Sequence, residues 1–184
     1  MIVFLIGFMG SGKSFYAKGL SEYLDVPFVD LDQFIEEQQA ISISEIFEKM
    51  GESAFRSLES LAIQQVYSDL LSRTTEKQDK NGILGIISSG GGTPCFNQNM
   101  EWMNKHGLTV WISPAEDIIW ERLIKERQTR PLVANLTEDE LRDFIHQKLI
   151  ERKPYYEKAQ YVINQPDLTI SEFVNTIQHA KNLF

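Results

Sequence analysis

Gly7-Phe8-Met9-Gly10-Ser11-Gly12-Lys13-Ser14 is the stretch that decides the fold. It matches G-x-x-x-x-G-K-[ST], and the chemistry explains the pattern. Glycines let successive backbone N–H groups turn toward one centre and cradle an anion. A helix beginning at Lys13 adds the positive end of its dipole. The Lys13 ammonium can reach the β- and γ-phosphates of a nucleotide, and the Ser14 hydroxyl can bind Mg²⁺. The flanks agree: residues 1–6 are a continuous apolar run, as a buried parallel strand requires. Residues 13–24 carry apolar Phe15, Ala17, Leu20 and Leu24 at helical spacing.

Working outward, Pro27-Phe28-Val29 reads as a second strand ending in Asp30-Leu31-Asp32, and helices are expected over residues 33–39, 44–50 and 53–71. A polar loop over residues 73–82 precedes a third strand at 83–87, which stops at Ser88-Ser89-Gly90-Gly91-Gly92. A helix over 97–106 and a fourth strand over 108–112 follow, and Pro114 opens the next helix, where its missing N–H is harmless. Residues 128–136 form a loop. Thr137 and Glu140 form a capping box for a helix over 137–153, which Pro154 ends just after Arg152. Residues 161–163 are a fifth strand and 171–183 a closing helix. Strands alternating with helices imply an α/β fold of three layers, a five-stranded parallel sheet with helices on both faces. There is no repeat and no second domain.

The bulk properties narrow the partners. The chain of 184 residues suits one domain, and its net charge of −8 argues against nucleic acid. The first six residues are too short for a membrane span and lack the basic region of a signal peptide. A single cysteine, Cys95, allows no internal disulfide and fits a reducing cytoplasm. His106, His146 and His179 show no metal-ligand spacing.

Asp30 and Asp32 lie at the carboxyl end of a strand, where ligands bind in such sheets. If the extended geometry persists, alternation sends both side chains to one side. One carboxylate could hold Mg²⁺ and the other accept the proton of an attacking hydroxyl, or one could cap the following helix. Asn104-Lys105-His106-Gly107 lacks the final Asp of a guanine-reading motif, which disfavours a GTP switch.

In this order the motifs resemble the shikimate kinase family. The resemblance covers nearly the whole chain through Gly7 to Ser14, Asp30-Leu31-Asp32, Phe55-Arg56-Ser57-Leu58-Glu59, Gly90-Gly91-Gly92, Arg130-Pro131-Leu132 and Glu151-Arg152-Lys153-Pro154-Tyr155-Tyr156. It implies a fold of the nucleoside-monophosphate-kinase type with a lid, and Mg²⁺-dependent transfer of the ATP γ-phosphoryl group to the 3-hydroxyl of shikimate in aromatic amino-acid biosynthesis. Within a single domain, residues 126–136 would be the lid and 33–61 the substrate-binding helical segment. Lys13, Asp32 and Arg130 would be catalytic. ATP would meet Gly10, Ser11, Gly12, Lys13, Ser14, Phe15, Arg122 (against adenine) and Arg130. Ser14 and Asp30 would serve Mg²⁺. Shikimate would meet Asp32, Phe47, Phe55, Arg56, Glu59, Gly90, Gly91, Gly92 and Arg152, its carboxylate clamped by Arg56 and Arg152, with Glu59 orienting Arg56. Planar guanidinium groups suit a carboxylate because they bind it in two places. The expected enzyme is a cytoplasmic monomer acting on ATP and shikimate.

The pattern departs from the family in two places: Phe15 stands where the family has Thr, and residues 73–82 make a longer loop. The third strand carries no metal-binding aspartate, which fits the resemblance, where Ser88 would serve the metal's water shell and Asp30 supply the negative charge. The rivals are a gluconate or nucleotide kinase, and a nucleotide-binding module without catalysis.

Overall fold

The computed structural model describes residues 1–72, 82–127, 130, 132–165 and 167–181. Residues 73–81 of the expected polar loop, Gln128, Thr129 and Pro131 of the expected lid, and the expected helical end at 182–183 lie outside the described residues.

Five strands form one parallel sheet: β1 (Ile2–Ile6), β2 (Phe28–Asp30), β3 (Gly85–Ser88), β4 (Gly107–Ile112) and β5 (Tyr161–Ile163), in the order β2-β3-β1-β4-β5. The helices are α1 (Lys13–Leu24), α2 (Leu31–Gln39), α3 (Ile43–Ser72), α4 (Asn99–His106), α5 (Glu116–Glu126), α6 (Glu138–Tyr156) and α7 (Ile170–Lys181). The apolar run of β1 is buried throughout because period-two alternation feeds both faces of the sheet. Val3 and Leu5 join Leu20 and Leu24 of α1 and Phe173 and Ile177 of α7. Ile2, Phe4 and Ile6 join Ile35 of α2, Ile63 and Val66 of α3, and Met100 of α4. A third apolar cluster ties Phe8 of the glycine loop to Leu123 of α5, Val133, and Leu141 and Ile145 of α6.

The two helices expected over 44–50 and 53–71 are both present, running end to end in α3 and parted by a kink at Gly51, whose φ of 80° and ψ of 168° leave helical space. Other expectations are corrected at element boundaries. Pro114 lies before the N-cap Ala115 of α5, so it precedes the helix. The helix α6 does not stop before Pro154 but runs through it to Tyr156. Proline costs one backbone hydrogen bond near a helix end, and Tyr156, fully buried beside Trp111, offsets that loss. The capping box of Thr137 and Glu140 is present. In α1 the inward side chain is Tyr16; Phe15, expected among the apolar positions, is 71% exposed.

The β1–β4 contact leaves no room at Gly107. A Cβ there would lie 2.2 Å from the Ile2 carbonyl oxygen, its register partner across the ladder. The obstacle is backbone and cannot rotate away. Gly107→Ala is therefore expected to lower stability by about 2 kcal/mol or more in urea denaturation, in the upper range for overpacked cores. A midpoint unchanged from wild type would show that the two central strands can separate cheaply.

Candidate active site

The loops after β1, β2 and β3 meet at the carboxyl edge of the sheet. The glycine loop turns with positive φ at Gly7, Gly10 and Gly12. Lys13 begins α1, is buried, and its Nζ donates to the Phe8 carbonyl at 2.9 Å. Ser14 donates its hydroxyl to Asp30 Oδ2 at 2.7 Å, with the Ser88 Oγ 3.5 Å away. The Ser11 hydroxyl is buried and has no hydrogen-bond partner among the described residues. Arg122 reaches back from α5 and donates to the Gly10 and Ser11 carbonyls at 3.2 and 3.0 Å. It braces the loop rather than pairing along its own helix.

The two aspartates converge by a route other than strand alternation. Extended geometry ends at Asp30, which is the N-cap of α2 and accepts N–H bonds from Asp32 and Gln33. Asp32 lies in the first helical turn. Both carboxyl groups still line one cavity, of about 690 Å³, with Lys13, Ser14, Ser88, Arg122 and Arg130. Burial, then the neighbouring charges of Asp30 and Glu59, push the Asp32 carboxyl up to about 7, while Lys13 opposes the shift. Burial likewise brings Lys13 down to about 8, against the attraction of Asp32 and Asp30.

A second cavity, about 760 Å³, adjoins the first. Phe47 and Phe55 of α3 line it, their rings 4.7 Å apart. Arg56 of the same helix donates to Glu59 at 2.8 Å and to Glu52 at 2.8 Å, and stacks on Phe96 at 4.2 Å. Burial opposes the Arg56 charge, but the two carboxylates outweigh it and hold the proton more tightly. Glu59 is itself buried and accepts from the Thr93 hydroxyl. Arg152 of α6 lies over the Phe8 ring at 5.3 Å. The triple glycine joins these groups. Methyl groups built on Gly90, Gly91 and Gly92 would lie 2.6 Å from Asp32 Oδ1, 3.2 Å from Arg152 Nη1 and 2.6 Å from Arg56 Nη1. The Tyr156 hydroxyl donates to the Gly91 carbonyl and fixes the turn from below. Arg56 and Arg152, nearly a hundred residues apart in sequence, thus line one cavity.

Met9, Asp32, Gly91 and Arg130 line both cavities. Arg130 pairs with Glu126 at 2.7 Å, and its segment is anchored by Val133 in the third apolar cluster and by the Arg127 bond to the Leu136 carbonyl. The sequence reading overlooked Glu52, Phe96 and Thr93, and quoted Tyr156 within a motif without giving it a role. Glu52 was findable, since a Glu four residues before an Arg on a helix pairs with it. Phe96 and Thr93 come from the turn after β3 and carry no local signal. Cys95, in that same turn, is half-buried, and burial pushes its thiol up to about 11, which keeps it in the neutral thiol form near pH 7.

The donor set fits Mg²⁺. Ser14, Asp30 and Ser88 offer hard oxygen atoms within one cluster, beside the loop that would hold phosphates, as a sparsely held, partly hydrated Mg²⁺ requires. Among the described residues no helix is long and apolar enough to cross a membrane.

Comparison with known proteins agrees with this geometry. The family description "Shikimate kinase" matches residues 9–181. A shikimate kinase of Bacteroides thetaiotaomicron is 40% identical over 166 residues, 90% of this chain and 87% of its own length. One from Flavobacterium johnsoniae is 37% identical over 95% of both chains. The crystal structure of the Bacteroides thetaiotaomicron shikimate kinase superposes with a TM-score of 0.84 at 37% identity, covering 99% of this chain and 98% of that one. A shikimate kinase from Acinetobacter baumannii in complex with shikimate gives 0.79 at 25% identity, covering 99% and 93%. With the family matched along nearly its full length, this chain belongs to the shikimate kinase family.

Proposed function

We propose that this kinase transfers the γ-phosphoryl group of ATP to the 3-hydroxyl of shikimate. The observation that carries the reading is the shared wall. A cavity lined by the phosphate loop meets one holding two arginines, and Asp32 and Arg130 belong to both. ATP would lie in the first cavity with its γ-phosphate toward Asp32 and Arg130. Shikimate would lie in the second, its carboxylate on Arg56 and Arg152, its ring on Phe47 and Phe55, and Gly90, Gly91 and Gly92 giving close backbone approach. Glu59 and Glu52 hold the Arg56 guanidinium in register for two-point binding.

The chemistry follows from the groups present. Asp32 in its ionised form accepts the proton of the attacking hydroxyl as the new O–P bond forms and the bond to the β-phosphate oxygen breaks. Lys13 and Arg130 neutralise charge on the migrating group. Ser14 and Asp30, with Ser88 nearby, would hold Mg²⁺, which when bound supplies charge neutralisation at the β- and γ-phosphates. Residues 126–136 would act as a lid, excluding water while transfer occurs. Residues 33–61 would be the acceptor-binding segment of the single domain. The enzyme would act as a monomer, and the acidic charge and lone free thiol fit a cytoplasmic enzyme of small metabolites.

The first test is a coupled ADP-release assay with shikimate, gluconate and the common nucleoside monophosphates. Only shikimate is expected to turn over, and Arg152→Ala should raise its KM at least about tenfold, the scale of a lost charged hydrogen bond. Turnover of a nucleotide acceptor, or an unchanged KM, would refute the clamp.

The pH dependence gives a second test. Asp32 must be ionised, and it gains its charge as pH rises through about 7. Lys13 must be protonated, and it loses its charge as pH rises through about 8. With shikimate and ATP both well below their KM values, the rate per enzyme should follow a narrow bell with apparent limbs near those values. A flat profile from pH 6 to 9 would rule out this pairing of acid and base.

A further inference from the structure

Phe15 is the most exposed large apolar side chain among the described residues, at 71%, and it lines the nucleotide cavity. Its surroundings locate it along that cavity. The residues shared with the acceptor cavity, Asp32 and Arg130 among them, mark the γ-phosphate end. Lys13, Ser14 and Asp30 mark the middle of the triphosphate. Phe15, Tyr16, Arg122, Asp167 and Leu168 are left for the opposite end, where a nucleoside must extend.

The ring is braced rather than loose. Phe15 meets Tyr16 edge to face at 5.4 Å, and Tyr16 in turn meets buried Phe173 at 5.1 Å. The ring is therefore held against Tyr16, which packs into the core, while it also lines the cavity. A phenyl ring offers no hydrogen bond to an α-phosphate, so its contribution must come from apolar and stacking contact. With only two side-chain torsions, it loses little freedom on contact.

We propose that Phe15 is a nucleotide-positioning residue, its ring closing on the ribose and base of bound ATP. This rests on the reading of the first cavity as the ATP site, but not on the identity of the acceptor. In place of a hydroxyl on the phosphate, this chain puts an aromatic wall beside the nucleoside.

The test uses the full-length chain with Phe15→Ala and Phe15→Trp, calorimetric titration with MgADP, and steady-state kinetics. Because Phe15 is exposed, its replacement leaves the core intact. Phe15→Ala should weaken ADP binding and raise KM for ATP about fivefold to tenfold, the scale of one aromatic contact. Its kcat and its KM for shikimate should stay within about twofold of wild type. Phe15→Trp should restore affinity, and its emission, corrected for the wild-type tryptophans, should change saturably with MgADP but not with inorganic triphosphate. An ADP affinity unchanged in Phe15→Ala, or an indole that responds equally to triphosphate, would overturn the assignment. Because these readouts need no acceptor, a failure of shikimate turnover with ADP binding intact would count against the acceptor alone.

Discussion

At Gly90, Gly91 and Gly92 the space a methyl group would fill is taken by Asp32, Arg152 and Arg56. These three side chains come from α2, α6 and α3. The turn follows directly from β3, which is buried beside β1 at the centre of the sheet. Its position is thus fixed by the buried sheet, and Tyr156 ties its middle carbonyl to α6. Gly91 lines both cavities, and Gly90 and Gly92 line the second. The spacing of the cavities is a consequence of how closely side chains can approach bare backbone.

Electrostatics complements that steric device. The chain carries a net charge of −8, yet Lys13, Arg122, Arg130, Arg56 and Arg152 gather around the two cavities. The acids among them are not incidental. Glu59 and Glu52 fix Arg56, Asp30 takes the Ser14 hydroxyl, and Glu126 pairs with Arg130. Burial, with the neighbouring charges of Asp30 and Glu59, is also what raises Asp32 into the range where a carboxyl group can exchange protons at neutral pH. Positioning and proton affinity share one cause.

Much of this was legible in the sequence. The glycine loop, the apolar run before it and the strand-helix alternation gave the five-stranded parallel sheet, because those signals are local and periodic. The same holds for the candidate residues carried on motifs, which the fold collects around two adjoining cavities. What local patterns could not carry was geometry set by tertiary contact. Strand alternation suggested how Asp30 and Asp32 converge, but a helix cap does it instead. Pro154 looked like a helix end, yet Tyr156 packing carries α6 through it. Phe15 fitted an apolar stripe, but in α1 the inward-facing residue is Tyr16. Arg122 on its helix gave no hint that it would grasp the carbonyls of the loop.

The central claim is that the bare turn holds the arginine clamp in place for a carboxylate. Gly92 isolates it, because its backbone is ordinary helical space (φ −92°, ψ −22°) and the three atoms nearest an added methyl all belong to the Arg56 guanidinium. The side chain would be pushed aside while the fold stays intact. Calorimetric titration of Gly92→Ala with shikimate and, separately, with MgADP measures this directly. Shikimate affinity should fall about tenfold or more, on the scale of a lost charged hydrogen bond, with ADP affinity unchanged. Wild-type shikimate affinity in that variant would contradict the account.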